Sequence, residues 1–126
     1  MAQRLEGTIE RINGSLIVAK FTEEPKMGDL VEVGSLKLMG EIVRLSEETA
    51  YIQCYESTSG LKPGEPVVDI GTPLVAELGP GLMGKIVDGV ERSEIELWDK
   101  TGPFITRGTN IAPLNREKKW EFKPTV

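Results

Sequence analysis

Six short runs of β-forming residues follow one another within the first seventy positions, separated by turn-forming residues at close spacing. Such spacing is the mark of a small antiparallel barrel or sandwich. The runs cover 5–12, 15–20, 29–34, 36–45, 49–56 and 66–70. In the fifth, Ala50, Ile52 and Cys54 alternate with Thr49, Tyr51, Gln53 and Tyr55, the period expected when one face of a strand lies against a core. Cys54 is thereby read as a small core residue. A reactive thiol needs an electropositive surrounding, which these neighbours do not supply.

Turn chemistry supports the strands. Asn13-Gly14 joins the first two runs, and a type I′ hairpin turn there requires positive φ at both central positions. Lys26-Met27-Gly28-Asp29 and Lys62-Pro63-Gly64-Glu65 share one local pattern and both read as turns entering strands, the second as type II with Pro63 fixing φ and Gly64 accepting a positive value. Gly40 interrupts the fourth run: Leu36 and Leu38 hold one parity before it, Val43 and Leu45 the other after it. A bulge at Gly40 is expected to switch the inward face, as closure of a small barrel requires.

The texture changes near residue 70. Gly71-Thr72-Pro73-Leu74 leads into Glu77-Leu78-Gly79-Pro80-Gly81, too rich in glycine and proline for a continuing strand. A boundary is expected there, with one domain over 1–70 and a connector over 71–126. Within the connector, 82–90 suits a short helix, and 94–98 and 103–107 suit strands around Thr101-Gly102.

Composition removes most chemistries. The chain has 126 residues, a net charge of −5, one cysteine and no histidine. A Ser-His-Asp triad, a histidine metal site, a cysteine zinc cluster and an intrachain disulfide are therefore excluded. The negative balance argues against nucleic acid, whose binders place lysine and arginine against phosphate. No stretch is long and apolar enough to span a bilayer, and Met1-Ala2-Gln3-Arg4-Leu5-Glu6 lacks the apolar core of a signal peptide, so a cytoplasmic location is expected.

Five local patterns invite a functional reading. Gly79-Pro80-Gly81-Leu82-Met83-Gly84-Lys85-Ile86 follows a P-loop for seven positions and fails at the eighth, where Ile86 offers magnesium no hydroxyl; Pro80 also removes an amide that phosphate would need. A Gly-rich connector is the better account. Lys26 at a turn is reminiscent of the lysine of biotin and lipoyl carriers, but Pro25 precedes it and the Gly-Asp turn follows at once. The carboxylate pairs Glu23-Glu24 and Glu47-Glu48 lie at turns, where such groups are normally solvated rather than tuned for proton transfer. The run Arg116-Glu117-Lys118-Lys119 reads as a solvated face. Trp98, Phe104, Trp120 and Phe122 concentrate in a segment without an obvious core, which suits either docking onto further protein or ordinary burial.

Several stretches, in order, resemble one family: Gly40-Glu41-Ile42-Val43-Arg44-Leu45, Ile52-Gln53-Cys54-Tyr55-Glu56-Ser57-Thr58-Ser59-Gly60-Leu61, Pro73-Leu74-Val75-Ala76-Glu77-Leu78-Gly79-Pro80-Gly81-Leu82, Asp88-Gly89-Val90-Glu91-Arg92, Arg107-Gly108 and Lys119-Trp120-Glu121-Phe122. Together they are similar to the start of the catalytic A (alpha) chain of V-type and archaeal-type rotary ATPases. The similarity covers almost the whole chain. It departs at Cys54, where a valine is usual, and at Ser93, where a proline is typical.

The resemblance implies an all-β fold: a six-stranded antiparallel barrel, followed by an extended linker with short strands and one short helix. It implies a role in assembly, with the barrel joining those of neighbouring A and B subunits in a collar on the hexameric head, peripheral to the membrane. The family's P-loop lysine, hydroxyl neighbour and catalytic glutamate have no counterpart in these residues. Catalytic, cofactor-binding and metal-binding residues are each none, and ATP and Mg2+ belong to the full-length parent. Two rivals stand beside this reading: the barrel of the non-catalytic B subunit, and a free-standing small-barrel binding module.

Overall fold

The computed structural model describes residues 4–125. Met1–Gln3, part of the signal-peptide reading, and Val126 lie outside the described residues. The described chain divides after Leu74 into two compact units.

The first unit is a barrel of six antiparallel strands: β1 (Leu5–Asn13), β2 (Leu16–Phe21), β3 (Asp29–Val33), β4 (Leu38–Ser46), β5 (Thr49–Cys54) and β6 (Pro66–Pro73). Their spatial order is β1-β2-β5-β4-β3-β6, and β1 pairs with β6 to close it. Closure settles the choice between barrel and sandwich and gives each of these six strands a partner on both sides.

The core follows from alternation. Ala50, Ile52 and Cys54 on β5 point inward, as do Val31 and Val33 on β3 and Val67 on β6. Ile9, Ile17, Ala19, Phe21, Leu38, Ile42 and Leu61 complete it. Every strand places at least one buried apolar side chain in this cluster.

Local geometry corrects the sequence reading in several places. The β1–β2 turn is centred on Gly14 and Ser15, because Asn13 pairs with Leu16; positive φ occurs at Gly14 (60°) and not at Asn13. Glycine at the first central position gives a turn whose twist matches the flanking strands without straining Asn13. The bulge of β4 falls between Ile42 and Arg44 rather than at Gly40. Val43 is the extra residue and faces outward, so the parity switch comes after Ile42. Gly40 serves close approach instead: a Cβ there would lie 2.8 Å from Ile52 Cγ2. Leu36, expected inside, lies in the β3–β4 turn and is exposed.

The paired turns agree with the sequence pattern. Gly28 (φ 89°) and Gly64 (φ 93°) are both left-handed, and each following residue donates its amide three residues back, Asp29 to the Lys26 carbonyl and Glu65 to that of Lys62.

In the second unit the expected helix over 82–90 and strands over 94–98 and 103–107 are not found. Pro80–Leu82 forms one 3-10 turn, and Gly84 (φ 76°) ends any helical continuation. The helix is α1, Glu94–Thr101. Glu94 and Glu96 lie in its first turn, Lys100 in its last, and Gly102 (φ 70°) ends it, which is the charge order favoured by the helix dipole. Ser93 before Glu94-Ile95-Glu96 was the readable start signal. Residues 103–107 and 120–124 have no regular structure.

Candidate functional site

The glycine-rich segment is built for packing against its own unit. Gly79 and Gly81 lie beneath Leu114: a Cβ at either would come within 3.2 Å of that side chain, and one at Gly81 within 3.7 Å of Trp120. Lys85 Nζ bonds the Pro113 carbonyl at 3.4 Å and faces Glu96 at 3.6 Å. The lysine that a P-loop would direct at phosphate is thus engaged, and Ile86 supplies no oxygen. These residues do not fit ATP or Mg2+.

A second cluster was missed by the sequence reading, although Asp88 and Arg92 stood in one of its matched stretches. Asp88 Oδ1 accepts the amides of Val90 (3.1 Å) and Arg92 (2.8 Å), and its Oδ2 accepts Arg92 Nε at 2.7 Å. Arg92 also donates to the Thr109 carbonyl at 3.1 Å, and the Asp88 amide to the Arg92 carbonyl at 3.0 Å. Burial alone would raise the Asp88 carboxyl, but the Arg92 amide, the Arg92 guanidinium and the Val90 amide together hold it below its ordinary value. Glu91, with φ 63°, accepts the Glu77 amide at 2.7 Å. Glu77 in turn pairs with Arg116. This network ties the glycine-rich segment, the 88–92 loop and the chain near 109–116 into one body. An aspartate four residues before an arginine was the available signal, but only the folded loop shows that both ends bond each other.

The four aromatics are exposed, which removes ordinary burial within the described chain as their explanation. Phe104 is 84% and Phe122 87% exposed, with Trp98 and Trp120 about half so or more. Trp98 and Ile95, three apart on α1, share an outer stripe, whereas Leu97 is buried. Trp120 is stacked by Lys118 at 4.2 Å and borders a cleft of about 720 Å³ with Pro80, Met83, Leu114 and Arg116. Leu78, Met83 and Ile105 are exposed as well.

The remaining candidates take structural roles. Lys26 is exposed, but its backbone closes the turn before β3 and its charge bears on Asp69. Glu47 and Glu48 make the two-residue turn between β4 and β5, and Glu48 meets Lys20 at 3.7 Å. Glu23 and Glu24 are exposed. Cys54 is buried, and its thiol is pushed up to about 11 by burial and then by the nearby Glu56 charge. Thiolate is the reactive form, so a disulfide-exchange reagent near neutral pH is expected to label Cys54 only as fast as the barrel opens; urea titration of the labelling rate checks this.

Comparison with known proteins follows this geometry. Residues 9–71 match the model of the ATP synthase alpha/beta family, beta-barrel domain. The V-type ATP synthase alpha chain of a Thermoanaerobacter species is 50% identical over 121 residues, 96% of this chain and 20% of the relative. The A subunit of the A-type ATP synthase of Thermofilum pendens is 47% identical over 126 residues, covering 100% of this chain and 21% of the relative. The corresponding A subunit from Saccharolobus solfataricus is 49% identical over 121 residues, 95% of this chain and 20% of its own length. The chain therefore spans about a fifth of the curated relatives it matches. These relatives are A subunits or alpha chains, which bears out the resemblance to the catalytic chain over the rival in the B subunit. By its closed barrel and by the match over residues 9–71, the chain belongs to the ATP synthase alpha/beta family and carries that family's β-barrel domain.

Proposed function

We propose that this chain is the assembly barrel of the catalytic A (alpha) chain of a rotary ATPase, a protein that makes or hydrolyses ATP while moving protons or sodium ions. The barrel takes its place in a collar of alternating A and B subunits, on the cytoplasmic side and peripheral to the membrane. ATP and Mg2+ are bound by parts of the parent outside these residues. The single observation that carries the reading is the family match laid over a barrel closed on itself.

Closure has a mechanical consequence. With every strand paired on both sides, a neighbour cannot add a strand to this sheet, so contacts through strand edges are replaced by contacts through outward side chains and turns. A barrel without edges keeps its shape while the parts below it open and close. Large apolar side chains of the second unit, Leu78, Met83, Phe104 and Phe122 among them, stay exposed and suit docking onto the remainder of the parent protein.

Mixing the chain with a purified B subunit tests the reading. Analytical ultracentrifugation is expected to show a complex that sediments faster than either component. Independent sedimentation at all concentrations up to solubility would favour a free-standing binding module instead.

A further inference from the structure

Two carboxylates are buried where β3 meets β6. Asp69 is 2% and Asp29 7% exposed. Both have the parity of interior residues: Asp69 lies two positions from the fully buried Val67 on β6, and Asp29 two positions from the fully buried Val31 on β3. The pairing there is uneven. Val31 lies opposite Asp69 and Asp29 opposite Pro73, so two steps along β3 match four along β6. The excess is a bulge containing Gly71, whose φ is 77°. Asp69 Oδ1 accepts the Gly71 amide at 2.7 Å, so a buried carboxylate holds the bulge of the strand that closes the barrel.

The charges around Asp69 oppose one another. Burial disfavours its ionised form and raises its pKa; the Gly71 amide lowers it, the Asp29 charge raises it, and Lys26 lowers it, with a net upward shift. From β3 the facing charge is Asp29, and from the segment before β3 it is Lys26. On β1 the residue opposite Asp69 is Leu5, which carries none.

We propose that Asp69 is a proton-operated catch on the seam between β3 and β6. Uptake of a proton by Asp69 removes a charge held inside the barrel wall and firms the seam; its loss restores that buried charge and loosens it. A carboxyl that binds its proton more tightly in the folded than in the unfolded chain works against folding at neutral pH. That penalty is relieved as pH falls through the raised folded value toward the ordinary 3.8. The direction is opposite to that of Asp88 and of Glu65, whose carboxyls are held below their ordinary values.

The test combines a carboxyl-carbon NMR titration of Asp69 with thermal melts of the chain and its Asp69→Asn variant at a series of pH values. Asparagine keeps an oxygen for the Gly71 amide and removes the charge. The variant is expected to melt a few degrees higher than the parent at neutral pH, with the gap narrowing steadily on acidification. Asp29→Asn is expected to lower the titration midpoint of Asp69. A gap that does not change with pH, or an Asp69 midpoint at or below 3.8 in the unaltered chain, overturns the proposal. If Asp69→Asn does not fold, the titrations of the unaltered chain and of Asp29→Asn decide the matter on their own.

Discussion

Replacing Phe21 by alanine is expected to lower the stability of the barrel by about 3–5 kcal/mol, the range for deleting a fully buried aromatic side chain. Phe21 is 1% exposed and stands at the end of β2, opposite Gly7. The missing side chain of Gly7 makes room for it: a Cβ at Gly7 would lie 2.9 Å from Phe21 Cγ. Removing the ring therefore leaves a void that two neighbouring backbones already shape, and the barrel can collapse into it only by breaking pairing between β1 and β2. A domain of this kind has about 5–15 kcal/mol in total, so the loss takes a large share of it. Urea unfolding followed by far-ultraviolet circular dichroism checks this, with a lower midpoint and an unchanged slope as the expected result. A shift corresponding to under about 1 kcal/mol would mean that the ring is not part of the cooperative core.

Arg92→Ala is expected to have the second-largest effect, and to confine it to the second unit. Arg92 and Asp88 bond at 2.7 Å with side chains 13% and 24% exposed. Truncation removes that contact and the bond to the Thr109 carbonyl, and leaves Asp88 a partly buried charge with only backbone donors. Because the pair keeps some solvent, the loss is set at about 2–3 kcal/mol, below the range for a fully buried ion pair. Amides of residues 88–109 are expected to exchange faster while those of β2 and β5 stay protected, because stability is distributed over local units. Arg92→Lys keeps the charge without the fork and should fall between. The Asp88 carboxyl is depressed, so its contribution is present above the unfolded value and lost as pH falls through the lower folded one. Acidification should therefore reproduce part of the Arg92→Ala pattern. Equal protection in variant and parent across residues 88–109 would show that the network does not hold this unit together.

The site features differed in how far the sequence exposed them. The failed P-loop was legible because chemistry at one position, Ile86, decided it. The exposed aromatics were legible as a concentration of large side chains, but their exposure was not, since Trp98 and Leu97 differ only in which side of α1 they occupy. That α1 exists at all depended on weighing short-range signals: Glu94 to Thr101 contains β-compatible residues, and the C-terminal stop at Gly102 with a favourable charge order prevailed. The Asp88–Arg92 clasp and the Asp69–Gly71 contact were hidden because each requires a backbone conformation, left-handed at Glu91 and at Gly71, that the residue types alone do not specify.

What the sequence by itself determined is the local grammar of the first unit: six strands from period-two alternation, and turns at Gly14, Gly28 and Gly64 from residues that accept positive φ. These are properties of a few neighbouring residues, so they can be read without the rest of the chain. What only the tertiary structure decided is closure through β1 and β6, the bulge at Val43 instead of Gly40, and the burial of Asp29 and Asp69 together. Each depends on residues far apart in the chain meeting in one register, because a barrel shuts only where tilt, bulges and side-chain volumes agree around the whole circuit.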